Sequence, residues 1–244
     1  MFSRLDIEAF SQTAQGHRKV RMMKFYYAPA SSYCQRVLIA LYEKELDFTP
    51  VEMNLFDSKE RENYLKINPF GKIPSLTTEE GQVLIEANII IEYLDNYYPH
   101  TYRLIPEDKT QALEVRFLER IIDIYINTGR EALFADTQRS PDERNSKEVL
   151  KAKRFLETAC QLLDQRLEGR TWLAGQEFSL ADCAAAPTLA YLRMVYSYQH
   201  LSRLTDYVRR LESRPSVFEV QNSGRNQMVH MLSTLTNPLE LVPL

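Results

Sequence analysis

The spacing of apolar and polar residues differs between the two halves of the chain. Between residues 24 and 98, short apolar or aromatic runs alternate with stretches in which apolar positions recur every three or four residues. The first pattern is typical of strands and the second of helices. The elements predicted in this part are strands at Lys24–Ala28, Phe48–Met53, Pro74–Thr78 and Val83–Ile85, and helices at Tyr33–Lys44, Ser58–Lys66 and Ala87–Tyr98.

The predicted order of elements in this first part is βαβαββα. A helix between the first two strands makes them a parallel pair, and the turn at residues 79–82 makes the last two an antiparallel hairpin. This order is that of a thioredoxin-like α/β domain, which we predict for residues 23–99.

After Pro106 the apolar spacing is helical and no segment resembles a strand. The next helix is predicted from residues that share one face: Leu113, Phe117, Ile121, Ile124 and Tyr125. A polar loop, Asp136–Ser146, follows it, and a capping box at Ser179–Asp182 begins a later helix. The fold class is therefore α/β plus all-α, with a linker at 100–106 and an all-helical C-terminal domain at 107–244.

Residues 1–22 fit neither pattern. This stretch is polar, ends in a basic cluster at His17–Arg21 and lacks the apolar centre of a signal peptide. We predict a disordered arm, or a non-native extension with translation starting at Met22 or Met23.

Composition excludes several classes of function. A net charge of −3 does not favour nucleic acid as a partner, and no apolar run is long enough to span a membrane. Three widely spaced cysteines do not form a disulfide framework, so a cytoplasmic location is predicted. The cysteines and the four histidines lack metal-ligand spacing, so no metal is predicted.

The first candidate for chemistry is the turn after the first strand. Ser31 begins a helix there, and Cys34 follows three residues later. Free N–H groups and the positive end of the helix dipole favour an anion at such a position, including a thiolate. The ordinary interpretation is that Ser31 only caps the helix.

Two further candidates lie downstream. Pro74 follows a glycine loop and leads a short strand, so a cis Ile73–Pro74 bond would present the backbone of Ile73 to a peptide ligand. Glu86 ends one strand and opens a helix, where it can receive an ammonium group. A trans proline and a helix-terminal glutamate are the ordinary interpretations.

Together and in this order, the motifs resemble the glutathione S-transferase family over about residues 23–220. The matching segments are Tyr26–Pro29 with Ser31 and Arg36–Val37, Asn68–Pro74, Glu86–Ala87 with Ile90, Tyr93 and Leu94, and Trp172–Gly175 through Phe178–Asp182 and Pro187. The resemblance implies an enzyme that binds reduced glutathione as co-substrate, stabilises its thiolate and transfers it to a small, apolar electrophile. It also implies a role in detoxification and a homodimer.

The resemblance assigns a role to each matching position. Ser31 matches the serine that hydrogen-bonds the glutathione sulfur. Ile73 and Pro74 match the residues that meet the cysteinyl unit, and Lys72 matches a polar position near the glycyl end. Glu86, followed by Ala87, matches the acidic residue that holds the γ-glutamyl ammonium.

Two implied features lie in the second domain. Asp182 matches a structural residue of the capping box and is not expected to be catalytic. The electrophile site is expected between the domains, with Tyr125, Tyr191, Met194 and Tyr198 as candidates.

Two positions make the glutathione site ambiguous. Ala87 stands where relatives usually carry Ser or Thr, which removes one hydrogen bond to the γ-glutamyl carboxylate. Tyr27 stands where tyrosine-type members carry their catalytic phenol, although the spacing from Ser31 to Arg36–Val37 favours the serine.

Two other hypotheses remain. Ile91–Asp95 followed by Tyr98–His100 also resembles the stringent starvation proteins, which keep the fold and bind RNA polymerase without catalysis. A thiol transferase using Cys34 as nucleophile is the other, and the position of Cys34 inside the first helical turn predicts its burial.

Overall fold

The computed structural model describes residues 22–242, and its first half is built on a four-stranded mixed sheet. The strands are β1 Lys24–Tyr27, β2 Thr49–Glu52, β3 Ser75–Thr77 and β4 Val83–Ile85, and the helices are α1 Ser32–Glu43, α2 Ser58–Tyr64 and α3 Ala87–Tyr97. The strand order is β2-β1-β3-β4, with β1 parallel to β2 and antiparallel to β3. The predicted βαβαββα order and the thioredoxin-like class are confirmed.

The strand register brings three separate segments to one end of the sheet. Tyr26 of β1 lies opposite Ser75 of β3, which in turn lies opposite Ile85 of β4. Because β3 is antiparallel to both of its neighbours, the end of β1, the start of β3 and the end of β4 lie at the same end of the sheet. The segments that follow or precede them there contain Ser31, Ile73–Pro74 and Glu86.

The second half is helical within the described residues. Its elements are α4 Lys109–Ile121, a π-helical segment Ile122–Asn127, α5 Thr128–Thr137, a short 3₁₀ turn Pro141–Glu143, α6 Ser146–Arg166, α7 Leu180–Leu192, α8 Ser202–Ser213 and α9 Pro215–Ser233. The loop predicted at 136–146 is shorter, because α5 continues to Thr137. None of the helices described in residues 22–242 is both long and apolar enough to cross a bilayer.

The helical face predicted from Leu113 to Tyr125 runs from α4 into the π-helical segment and turns outward, except at Ile121, which packs against the core. Leu113, Phe117, Ile124 and Tyr125 are exposed. The helix buries a second apolar face instead: Ala112, Val115, Leu118, Ile122 and Ile126. Both faces have helical spacing, so periodicity alone could not say which one packs inward.

A buried ion pair fixes the linker to the first half, and a continuous apolar core joins the two halves of the molecule. Lys44 at the end of α1 pairs with Asp95 of α3 at 2.7 Å, and Asp95 also accepts the N–H groups of Leu104 and Ile105 in the linker. One hydrophobic cluster continues from Met23 in the first half to Val220 in α9. The domain boundaries given above remain predictions.

Candidate functional site

The start of α1 is an open helix N-terminus. Ser31 is the N-cap, and its Oγ accepts the N–H of Cys34 at a long 3.4 Å. Within residues 22–242 the N–H groups of Ser32 and Tyr33 have no hydrogen-bond acceptor. The first turn of α1 contains no acidic residue, so no carboxylate of that turn compensates the positive end of the helix dipole. This position can therefore stabilise an anion.

Residues distant in sequence hold the loop that leads into α1. Gln35, which is buried, donates its amide to the carbonyl of Pro29 at 2.8 Å and to the hydroxyl of Tyr191 at 2.9 Å. Tyr191 donates to the carbonyl of Ala30, whose own N–H is accepted by Gln227 of α9. Sequence reasoning missed Gln35 and Gln227, and no local pattern marks contacts across more than 150 residues.

Tyr27 and Ser31 occupy different environments. The Tyr27 ring stacks on buried Phe25 with centroids 5.5 Å apart, while Tyr26 on the opposite face of β1 packs against Tyr64. Burial, followed by the charge of Glu52, raises the pKa of the Tyr27 phenol. Ser31 is half-buried beside the open helix end.

Hydrogen bonds from two buried side chains fix the loop before β3. Buried Asn68 donates its amide to the carbonyl of Lys72 at 2.6 Å, and the Tyr64 hydroxyl donates to the same oxygen at 2.9 Å. Gly71 has φ +60°, and a Cβ there would lie 3.1 Å from a methyl carbon of Leu65, so glycine is favoured at this position. The Lys72 side chain is exposed.

The peptide bond that follows this loop is cis, between Ile73 and Pro74, as the resemblance predicted. Within residues 22–242 neither the N–H nor the C=O of Ile73 forms a hydrogen bond. Its backbone is therefore available for pairing with an extended ligand.

Glu86 has an unusual backbone. It is the N-cap residue of α3 with φ +72°, a region that non-glycine residues rarely adopt and that often marks functional positions. Its side chain is exposed and makes no cap hydrogen bond. Ala87 is buried, and in the described chain the N–H groups of Ala87 and Asn88 have no acceptor. The carboxylate of Glu86 can therefore meet a cation beside donors suited to an anion.

Cys34 is not placed to act as a nucleophile. Its side chain is fully buried, and burial raises the pKa of the thiol to about 12. A buried, protonated thiol is a poor nucleophile. The prediction that this cysteine is buried is confirmed.

A buried charge cluster lies beneath the first turn of α1. Arg36 contacts Asp123 at 3.1 Å and Glu119 at 3.5 Å, and donates to Thr188 of α7 at 3.1 Å. Burial raises the pKa of Glu119, although a hydrogen bond from Asn88 and the charge of Arg36 oppose this rise. The cluster anchors α1 to the helical half and thereby positions Ser31.

The four residues considered for a cleft between the domains lie in three different places. Tyr191 and Met194 pack with Ala30 next to the α1 loop. Tyr198 is fully buried and donates to the carbonyl of Leu189, so it belongs to the core. Tyr125 lies on the outer surface with its ring 5.6 Å from that of Phe155.

One end of the sheet thus presents three kinds of binding group. The start of α1 suits an anion, the backbone of Ile73 suits an extended peptide, and Glu86 suits a cation. The arrangement matches a short peptide that carries a thiolate and an ammonium group.

Comparisons with known proteins agree with this geometry. Residues 25–102 match the family model described as the glutathione S-transferase N-terminal domain, and residues 121–215 match that of the C-terminal domain. A glutathione S-transferase from Methylobacillus flagellatus, solved with glutathione bound, is 31% identical with a TM-score of 0.71, covering 81% of this chain and 98% of its own.

Two curated relatives carry different names. A maleylacetoacetate isomerase from Pseudomonas aeruginosa is 31% identical over 67% of this chain and 77% of the relative. A stringent starvation protein A homolog from Coxiella burnetii is 28% identical over 70% of this chain and 76% of the relative.

Proposed function

The chain belongs to the glutathione S-transferase family, and from this premise we propose that it is a glutathione transferase. It binds reduced glutathione, holds the sulfur as a thiolate and transfers it to a small electrophile. The observation that carries the proposal is the convergence of the α1 start, Ile73 and Glu86 at one end of the sheet.

The size of this region suits a tripeptide. Neighbouring strands lie about 4.8 Å apart, so the distance from β1 across β3 to β4 is about 10 Å. Three extended residues span about 10 Å at most. In our proposal Glu86 meets the γ-glutamyl ammonium, Ile73 and Pro74 meet the cysteinyl unit, and Lys72 lies near the glycyl carboxylate.

Ser31 is proposed as the residue that activates the sulfur. A free thiol has a pKa of ~8.5, so most of it is protonated at neutral pH. The Ser31 hydroxyl and the open N–H groups of Ser32 and Tyr33 together would lower this pKa by about 2, or about 2.7 kcal/mol. The placement of Tyr27 against Phe25 supports the serine over the tyrosine.

The transfer step follows from the thiolate. Its sulfur attacks an electron-poor carbon of the co-substrate, and an S–C bond forms. In a substitution the leaving group departs with the electron pair of its bond to that carbon. In an addition the π electrons move to the neighbouring carbon, which then takes a proton from solvent.

Calorimetric titration with reduced glutathione tests the proposal. We expect binding in the micromolar to low millimolar range. Glu86→Gln removes the charge but keeps the shape, and should weaken binding about 10-fold or more because a charge-assisted hydrogen bond is lost. Glu80→Gln, in the exposed β3–β4 turn, is the matched control and should change nothing.

The alternative is a non-enzymatic protein of the stringent starvation type that binds RNA polymerase. The similarity to the Coxiella homolog is the observation that favours it. No heat of binding and no retention on immobilised glutathione would overturn our proposal in favour of this alternative. The cytoplasmic location and a part in detoxification stay predictions.

We also propose that two copies of the chain form a dimer. An apolar patch on α4 and neighbouring elements is exposed: Leu113, Phe117, Ile124, Tyr125 and Phe155. Contiguous exposed apolar surface marks an interface, and a two-fold dimer pairs such a patch with itself. Sedimentation should give twice the 28.5 kDa of the chain, and Phe117→Glu should give monomers. A monomeric wild-type protein would contradict the dimer.

A further inference from the structure

The strongest unexplained feature near the start of α1 is a largely buried cation, Arg130, whose charge has only a weak counter-charge. The Arg130 side chain is only 12% exposed, and its one carboxylate partner, Glu131, lies 3.4 Å away and is itself 58% exposed. Arg36, Lys44 and Arg193 are more deeply buried and have better counter-charges. Arg193, 9% exposed, contacts Glu212 at 2.6 Å, and that carboxylate is only 27% exposed. Arg36 and Lys44 each contact carboxylates that are themselves mostly buried, in Asp123 and Glu119 for the first and in Asp95 for the second.

The Arg130 guanidinium is held in place by a neutral group. Its Nε and Nη2 donate to Oδ1 of buried Asn127 at 3.2 and 2.8 Å, and Asn127 donates in turn to the Tyr33 hydroxyl at 2.8 Å. Within residues 22–242 its Nη1 forms no hydrogen bond. Desolvation by burial lowers the pKa of Arg130, as expected for a cation that lacks a sufficient counter-charge.

A chain of hydrogen bonds connects this cation to the α1 start, which holds the proposed sulfur site. Tyr33 is two residues after Ser31, and its hydroxyl accepts from Asn127. One helical turn beyond Arg130, Phe134 packs in the cluster that includes Ala30, Tyr191 and Met194. An apolar cluster and the Arg130 guanidinium therefore both lie near the α1 start.

We propose that Arg130 binds the anionic group of the electrophilic co-substrate, which assigns the substrate class as electrophilic carboxylic acids. A carboxylate supplies the missing counter-charge, and the apolar cluster takes the remainder of the molecule. This inference rests on the proposed function. Arg130 acts as a specificity-determining residue, since the reacting sulfur is activated elsewhere.

The test uses two electrophiles of nearly equal shape, 4-chloro-3-nitrobenzoate and 4-chloro-3-nitrobenzamide. In both, the thiolate sulfur bonds to the ring carbon and chloride leaves with the C–Cl electron pair. Arg130→Met should lower the acid-to-amide ratio of kcat/KM about 10- to 100-fold, because a charge-assisted hydrogen bond is lost. Arg130→Lys should recover much of this ratio, and Arg209→Met, an exposed cation paired with Asp206, should leave it unchanged.

Three results would overturn the inference. One is an equal loss of both substrates in Arg130→Met, which indicates a structural role. Another is weaker glutathione binding in that variant by calorimetry, which assigns Arg130 to the peptide. The third is full wild-type activity of Arg130→Met on both substrates.

A binding experiment separates this inference from the proposed function. Unreactive 3-nitrobenzoate is titrated into the protein, with 3-nitrobenzamide as the neutral control. If glutathione does not bind but 3-nitrobenzoate binds and is lost in Arg130→Met, the transferase proposal fails and the anion site stands. If the amide is conjugated but Arg130→Met does not weaken 3-nitrobenzoate binding, the transferase proposal stands and the anion site fails.

Discussion

In residues 22–242 two α-helices, α1 and α7, have a serine as the N-cap residue, and they differ in which groups pair with the backbone at their starts. At α7, buried Asp182 accepts the N–H and hydroxyl of Ser179 at 2.8 Å each, the N–H of Leu173 at 3.1 Å and the hydroxyl of Tyr207 at 2.7 Å. Leu180 donates its N–H to the linker carbonyl of Leu104. The start of α7 is therefore closed by groups of the protein itself.

At α1 the same residue type leaves the helix end open. Ser31 accepts one long hydrogen bond, and in the described chain the N–H groups of Ser32 and Tyr33 are unpaired. The difference teaches that a serine-capped helix start serves stability when a carboxylate fills it, and can serve binding when it is empty. Substitutions at the two helix starts test this contrast.

The largest expected effect is at the closed start. Asp182→Ala leaves buried donors of Ser179, Leu173 and Tyr207 without an acceptor, so the free energy of unfolding should fall by about 3–5 kcal/mol. Urea denaturation measures it. Asp206→Ala, an exposed aspartate paired with Arg209, should change stability by less than about 0.5 kcal/mol. Equal effects of the two variants would refute the structural role of Asp182.

The next effect is at the open start. Ser31→Ala should lower turnover about 10²- to 10³-fold, as for loss of one preorganised donor to a developing anion. Its stability cost should be about 1 kcal/mol or less, because the capping bond is long. Steady-state conjugation kinetics on the folded variant measure the loss.

The matched variant Ser179→Ala should show the opposite pattern, with lower stability and near-normal turnover. Tyr27→Phe distinguishes the two candidate hydroxyl groups. A loss of activity in Tyr27→Phe with none in Ser31→Ala would show that the serine assignment is wrong.

The smallest effect concerns the cysteine in the first turn of α1. Cys34→Ala should leave conjugation nearly unchanged, because the thiol is buried and its pKa is about 12. At pH 8 only about one thiol in ten thousand would be ionised, so iodoacetamide should label Cys34 in urea but not in the folded protein. Rapid labelling of the folded protein together with inactivity of Cys34→Ala would support the thiol-transferase hypothesis.

Local patterns predicted much of this fold. The strand and helix order and the capping box at Ser179–Asp182 follow from a few adjacent residues, whereas the cis bond at Pro74 was implied by the family resemblance. Such features depend on the type and spacing of neighbouring residues, which can be read from a single sequence.

Features set by distant contacts were not predictable in this way. The hydrogen bonds from Gln35 to Tyr191 and from Ala30 to Gln227 join residues more than 150 positions apart. The outward face of α4 and the core position of Tyr198 depend on which of several apolar surfaces finds a partner. Arg130 stands out only when the exposure of its counter-charge is known.

The most direct test of the account is the pKa of the glutathione thiol when bound. Ultraviolet absorbance of the thiolate, recorded against pH with glutathione on the protein, gives this value. We expect about 2 units below the free value of ~8.5 in the wild type and a return towards that value in Ser31→Ala. A bound thiol that titrates like free glutathione, or a lowered pKa that survives in Ser31→Ala, would contradict the claim that the open start of α1 stabilises the thiolate.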